Sequence, residues 1–284
     1  MNGTKIRVIT YLANHPSFLV AIHCFFESWR ANCGINPENI SLTLYTLKDI
    51  SKQQQLYLHH LEQLYSIEVK IVPPQNYEVF GDYWPLSILK DSFDDDIVIL
   101  ASPHMLVATD SASILLESQQ GNRLILSRYA ESKVKTGEKL YSPRLIIGTS
   151  DLFAILRDEF VPELESSLPL IADNLESKSP SLFLSELFTR VCQRSVVTTR
   201  ALEWFELCDF FSSDSKVEAL ESEKSNFYLI SDSTHLEFTQ SQIFYSRSHL
   251  DKFIENSEPE GPWRAYHKVL KSLWNNIKIK HETD

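Results

Sequence analysis

The sequence predicts an α/β protein: a mostly parallel sheet with helices on its faces. Three observations carry that expectation. The first third of the chain alternates strand-like and helix-like patterns, as parallel strands joined by helical crossovers require. The run Ile97-Val98-Ile99-Leu100 is short, β-branched and apolar on both faces, the pattern of a strand buried on both sides. The 284 residues, 43% apolar and 23% charged, suffice for one large core.

The elements follow in order. Lys5 to Ala13 is a first strand, ended by Asn14-His15-Pro16-Ser17. Ser17 is a candidate cap for a helix from Phe18 to Cys33, where Leu19, Ile22, Phe25, Phe26 and Trp29 recur at helical spacing. Asn36 to Asn39 is a turn, Ser41 to Thr46 a strand, Ser51 to Tyr65 a helix, and Ile67 to Val72 a strand stopped by Pro73-Pro74. A short helix is expected from Leu86 to Phe93. Asp94-Asp95-Asp96 leads into the central strand, which breaks at Ala101-Ser102-Pro103-His104; a second apolar step, Met105 to Val107, follows, and Asp110-Ser111 opens a helix.

Arg123 to Ser127 is a further strand, Glu131 to Glu138 a polar, mobile loop, and Leu145 to Thr149 a strand with a turn. Helices are expected over Asp151 to Leu164 and Leu182 to Gln193, with irregular chain from Leu168 to Ser181 between them. Ser212 to Ser225 is linker-like, and short strands are expected at Asn226 to Ile230, Leu236 to Thr239 and Ile243 to Tyr245. Pro262 opens a last helix, reaching about Lys280, with Trp263, Tyr266, Leu270, Leu273, Trp274 and Ile277 on one face and Lys or Arg on the rest.

Composition excludes several classes. A net charge of −11 argues against general nucleic-acid binding, which needs clustered Lys and Arg. Only 7 glycines are present and no phosphate-loop glycine motif occurs. No run reaches the roughly 18 apolar residues that span a bilayer, and the amino terminus lacks a signal-peptide pattern. The 4 cysteines show no C-x-x-C spacing, and Cys24 and Cys192 fall in apolar helical patterns as buried thiols, so the expected compartment is the cytoplasm.

In an open α/β sheet, ligands bind outside the carboxyl ends of the strands. Ser102 and His104 sit at such an end, and an extended backbone there would point both to one side. His104 is a candidate metal ligand, diphosphate contact or base, or a loop histidine bonded to the backbone. Tyr11 and Asn14 end the first strand, where an aromatic ring can stack on a base and an amide can bond to it; a core tyrosine is the alternative. Tyr83 and Trp84 are either a stacking pair or a packed aromatic pair under a loop. The Asp94-Asp95-Asp96 run reads as a solvated turn rather than a metal site, because adjacent residues diverge on an extended chain. His59 and His60 read as surface residues, and Asp151 and Glu186 are weak acid candidates.

The stretch Asp95-Asp96, Ile97 to Leu100, Met105 to Val107 and Asp110-Ser111 resembles the acid, strand, Asp-x-Asp and strand pattern of GT-A nucleotide-sugar transferases, nearest to glycosyltransferase family 8. Tyr83 to Phe93 resembles the helix upstream of that motif, Leu145 to Leu156 the acceptor-side strand and helix, and Gly261-Pro262-Trp263 the closing Lys-Pro-Trp. The resemblance implies a GT-A-like single domain, 1–284, with a nucleotide-binding half over 1–111, an acceptor-side half over 112–261 and a carboxyl-terminal helix over 262–284. In register with it, the two motif aspartates fall on Ser102 and His104 and the phosphate-binding lysine on Gly261; His235 and His249 lie near the family's histidine but out of register.

A hydroxyl and an imidazole are a poor donor set for hard cations, so the expected cofactor is none, with room for weak Mn²⁺ or Mg²⁺ only. Arg128, Arg144, Lys133 and Lys135 are candidates for neutralising a diphosphate. The implied function is sugar transfer from a nucleotide-sugar donor to a glycan or lipid-linked hydroxyl acceptor, with Tyr11, Asn14 and Tyr83 toward the nucleotide and Ser102 and His104 toward the diphosphate. The competing readings are a non-catalytic relative that scaffolds or regulates a partner, and a nucleotidyltransferase, for which the Gly-rich loop after the first strand is missing. The carboxyl-terminal helix is either docked on the domain or seated at an anionic membrane surface.

Overall fold

Strand β1 (Ile6–Leu12) shows how this chain makes its sheet. Ile6, Val8 and Leu12 face one helical layer, while Ile9 and Tyr11 face the other. Period-2 alternation with both faces apolar is what a sheet covered on both sides demands. The computed structural model describes residues 3–12, 17–50, 52–128, 140–173, 180–195, 197–202, 207–209 and 226–229, with Glu255 and Lys271 as single residues.

Helix α1 (Ser17–Asn32) returns the chain to β2 (Ile40–Thr46), and α2 (Lys52–Tyr65) returns it to β3 (Glu68–Ile71). Both crossovers leave parallel neighbours. Strand β4 (Ile97–Ala101) is buried at every position and lies parallel to β1, as its two-faced apolar run predicts. The seven strands run β3-β2-β1-β4, then β7 (Tyr141–Gly148), β6 (Arg123–Arg128) and β8 (Thr198–Ala201). Within that order only β7 is antiparallel to its neighbours, β4 and β6; β8 is parallel to β6. A second sheet of three strands joins β5 (Met105–Val107), β10 (Phe227–Leu229) and β9 (Leu207–Asp209).

Two cores flank the main sheet. On one side Phe25, Phe26 and Trp29 of α1, Tyr57 and Leu61 of α2, and Ile114 and Leu115 of α4 (Ala112–Gly121) pack on Val8, Leu44, Ile97, Ile99 and Ile147. On the other, Trp84, Leu89, Phe153, Phe160 and Phe188 cover Ile9, Val98, Leu100, Leu126 and Ile146. The second layer comes from α3 (Pro74–Phe80), a 3₁₀ segment (Gly81–Lys90), α5 (Ser150–Ile155), α6 (Val161–Asp173) and α7 (Pro180–Arg194).

Several expectations need correction. Chain before β4 is helical from Pro74, not from Leu86, and its second part is a 3₁₀ helix containing Pro85, a residue that cannot supply an interior helical N–H. Strand β7 begins at Tyr141, four residues early, because Ser127 and Arg128 pair with Ser142 and Tyr141 beyond a register shift. Helix α6 runs on to Asp173, with Pro169 inside it, where irregular chain was expected. It continues from α5 through a π-helical stretch, Leu156–Phe160. Asn14, Glu131 to Glu138, the linker, the strands at Leu236 and Ile243, and the carboxyl-terminal helix lie outside the described residues, apart from Lys271. Among the described residues no helix is long and apolar enough to cross a membrane.

Gly34 connects α1 to the loop before β2 at φ +76°. A Cβ there would lie 2.0 Å from a carboxylate oxygen of Asp110. That carboxylate accepts the Ala112 amide at 2.8 Å and so steadies the start of α4. Glycine alone satisfies both the backbone and the close approach.

Candidate functional site

At the carboxyl edge of the sheet, three polar side chains continue three apolar rows on the same face. Tyr11 follows Ile9 on β1, Ser102 follows Leu100 beyond β4, and Arg144 precedes Ile146 on β7. Register brings them together. Ala101 pairs with Leu145, and the Ser102 amide donates to the Arg144 carbonyl at 2.9 Å. The Tyr11 phenol is hydrogen-bonded to Ser102. Burial pushes that phenol's pKa up, against the opposing pull of the Ser102 bond and the Arg144 charge. Trp84 packs edge-on against Tyr11, with ring centroids 5.7 Å apart. Tyr45 is its register partner on β2.

Ser102 does not continue the strand. The Met105 amide donates to the Ser102 carbonyl at 3.0 Å, and the His104 amide lies 3.4 Å from the Ser102 hydroxyl. This turn replaces the extended geometry expected from the spacing, so Ser102 and His104 are not presented side by side at an open mouth. Both are buried, Ser102 to 6% exposure and His104 to 1%. Beyond the turn, β5 is pinned to α1: its Val107 amide donates to Ser28 Oγ at 3.1 Å, and Asn32 donates to the Val107 carbonyl at 3.0 Å.

The remaining candidates separate by location. Tyr83 is half-buried against the second core. Asp94, Asp95 and Asp96 lie at the opposite, amino edge. Asp95 pairs with Arg7 there at 2.5 Å, and Asp96 accepts the Lys5 amide at 2.8 Å. Asp151 is on that edge too, one residue past Ser150, whose hydroxyl donates to the Asp95 carbonyl. Glu186 is half-buried on α7, the helix whose Thr189 hydroxyl accepts the Tyr141 amide at 2.7 Å. His59 is exposed and lies 3.5 Å from Glu62. Lys133 and Lys135 fall outside the described residues. Arg128 ends β6 at the same edge as Tyr141. The sequence named Arg144 only as one of four cations. Its meeting with Tyr11 and Ser102 depends on strand register, which no local pattern announces.

Solved structures that resemble this chain in fold include glycosyltransferases. The galactosyltransferase LgtC, in complex with donor and acceptor sugar analogues, matches with a TM-score of 0.58 at 12% identity over 92% of this chain and 99% of that chain. The glycosyltransferase GlyE of Streptococcus pneumoniae TIGR4 matches at 0.55 and 12% identity over 96% of this chain, which spans 64% of the GlyE chain. Mouse xyloside xylosyltransferase 1, in its apo form, matches at 0.51 and 10% identity over 82% of this chain and 99% of that chain. No protein-family model and no curated protein matches the sequence. At such identities the likeness establishes the fold, a seven-stranded mixed sheet of the GT-A glycosyltransferase kind.

The resemblance also implies a divalent cation at the Ser102 and His104 positions, and the residues present do not suit one. Ser102 offers a neutral hydroxyl already engaged by Tyr11 and the His104 amide. Among the described residues no three His, Cys, Asp or Glu side chains converge. Mg²⁺ and Mn²⁺ favour several oxygen ligands, carboxylates above all.

Proposed function

We propose that this chain transfers a sugar from a nucleotide-sugar donor to a hydroxyl of a glycan or lipid-linked acceptor. The observation that carries the reading is the Tyr11, Ser102 and Arg144 cluster under Trp84, at the carboxyl edge of a GT-A-like sheet. Open α/β sheets bind ligands at that edge. The pieces suit a nucleoside diphosphate: aromatic rings toward a base, a hydroxyl and a guanidinium toward phosphate oxygens. The glycosyltransferase neighbours support sugar transfer as the class of reaction.

In that reaction the bond between the anomeric carbon and the diphosphate oxygen breaks, and its electron pair leaves on the diphosphate. The acceptor oxygen forms the new bond to the anomeric carbon, and its proton is released. The protein's part is to hold the donor and to stabilise the charge that develops on the leaving group.

A thermal-shift panel of nucleotide sugars, each with EDTA and with Mn²⁺, tests the reading. One donor is expected to raise the melting temperature; ligand at 100 times its Kd adds ~2.7 kcal/mol. No shift with any donor at millimolar concentration overturns it. The absence of carboxylates at positions 102 and 104 favours a second reading, a non-catalytic relative that keeps the fold to organise a partner. Donor binding with neither transfer nor donor hydrolysis would select that second reading.

A further inference from the structure

We infer that Arg144 takes the place of a divalent cation, its guanidinium meeting the diphosphate of the donor directly; the inference rests on the nucleotide-sugar reading above. The antiparallel pairing of β4 with β7 sets Arg144 opposite Ser102, at the position the resemblance gives to a motif aspartate. Alternation along β7 turns the Arg144 side chain to the face of Ile146, which is the face of Leu100 and Ser102 on β4 and of Ile9 and Tyr11 on β1. The cation therefore stands beside the hydroxyls of Tyr11 and Ser102 rather than on an outer surface.

Its lack of a carboxylate partner matters because of where it lies, half-buried beside Tyr11 and Ser102. Arg7, Arg123, Arg157, Arg194 and Arg200 each form an ion pair with an Asp or Glu. Among the described residues no carboxylate pairs with Arg144, although the chain carries 38 acidic residues against 27 basic ones. The Arg144 residue is half-buried. Drawing a charge partly out of water without a counterion is unfavourable, and a bound anion offsets that cost. A guanidinium presents parallel N–H donors that match two phosphate oxygens, where Ser102 and His104 lack the anionic oxygens that hold a hard cation. Positive charge at this point both binds the donor and stabilises the departing diphosphate.

Calorimetric titration of the full chain in EDTA tests this, using UDP, GDP, ADP, CDP and dTDP, each beside its nucleoside. The variants are Arg144→Gln, Arg144→Lys and, as a charge-matched control, Arg157→Gln, which removes an exposed guanidinium beside Ser92. One diphosphate is expected to bind wild type without metal. Arg144→Gln should weaken it about tenfold or more, as loss of a charged hydrogen-bonding partner does, while the matching nucleoside and Arg157→Gln change less than about twofold on the same scale. Arg144→Lys, which keeps the charge and loses the fork, should fall between.

Unchanged diphosphate affinity in Arg144→Gln, or binding that requires Mn²⁺, overturns the role of Arg144 and leaves the transferase reading standing. If no diphosphate binds wild type, with or without Mn²⁺, both fall together. Should Arg144→Gln fail to fold, judged by its melting transition, Arg144→Lys decides: a severalfold loss supports the role and full wild-type affinity overturns it.

Discussion

Arg7 and Asp95 form an ion pair across the amino edge of the sheet, with Nε 2.5 Å from a carboxylate that is only 6% exposed. The same guanidinium reaches Glu68 at 2.8 Å and Thr43 at 3.2 Å. It thereby ties β1 to β2, β3 and the turn that leads into β4. Removing one member of a pair this buried leaves an uncompensated charge. Asp95→Asn should destabilise the fold by about 2–3 kcal/mol, somewhat under the range for fully buried pairs because Glu68 remains. A lower urea midpoint at an unchanged slope is the expected result. Nucleoside diphosphate affinity should not move, because this pair and Ser102 lie at opposite ends of β4. A loss of affinity would bring the acidic turn back into the site.

Gly34→Ala should cost at least about 2 kcal/mol, the sum of a left-handed backbone strained by a side chain and a displaced Asp110 carboxylate. The companion Asp110→Ala relieves the clash. The double variant is therefore expected to be more stable than the sum of the two single changes implies, and a double-mutant cycle in urea reads this directly. Strict additivity would show that the carboxylate is not what the new methyl meets.

Four phenols, Tyr11, Tyr45, Tyr57 and Tyr65, have pKa values raised above 10.0, chiefly by burial. Asp91 adds to this for Tyr45 and Glu27 for Tyr65. The unfolded chain releases these protons near pH 10 while the folded chain keeps them. Stability is thus fully present below that pH and falls as pH rises, by up to ~1.4 kcal/mol per pH unit for each such group. Absorbance at 295 nm should show part of the 11 tyrosines ionising early and Tyr45, Tyr57 and Tyr65 only with unfolding. A single smooth titration of all the phenols, with the fold intact, would contradict this.

The thiols follow the same logic. Cys24, Cys33 and Cys192 are buried thiols that form no disulfide. Burial pushes Cys192 up to about 12, and burial together with Glu27 raises Cys24 further. Thiolate is the reactive form. Iodoacetamide at pH 8 should therefore leave the peptides bearing these three cysteines unmodified in the native protein and alkylate them in urea. Rapid native alkylation of Cys192 would contradict its place on the buried face of α7.

The parts of the fold that were readable are those in which one residue run decides the outcome. Ile97 to Leu100 could only be a strand covered on both faces, and the spacing of Ile22, Phe25, Phe26 and Trp29 could only be a helix facing a core. What escaped depends on distant partners. Thr198 to Ala201 and Leu207 to Asp209 are too short to show alternation, and become strands because β6 and β10 offer them an edge. Tyr141 to Arg144 contains a proline and polar residues, and becomes strand by pairing beyond the shift in β6. Within the site, Tyr11 and Ser102 stood out as residue types at a strand end, and Trp84 only as half of a stacking or packed aromatic pair with Tyr83. Arg144 became a candidate of the same rank only once the antiparallel run of β7 placed it opposite Ser102.

That reversed strand has one more effect. Because β7 runs against its neighbours, it starts where they finish: β6 ends at Arg128 and β7 begins at Tyr141, both on the rim that holds the Tyr11, Ser102 and Arg144 cluster. Arg128 and Tyr141 are thus two neighbouring anchor points on one rim, paired with each other in the sheet. For protein engineering they mark where a sequence segment can be exchanged beside the candidate site while the strand pairing on either side is kept. Grafting alternative segments between Arg128 and Tyr141 would test, on the proposed transferase, whether acceptor preference can be changed apart from donor binding.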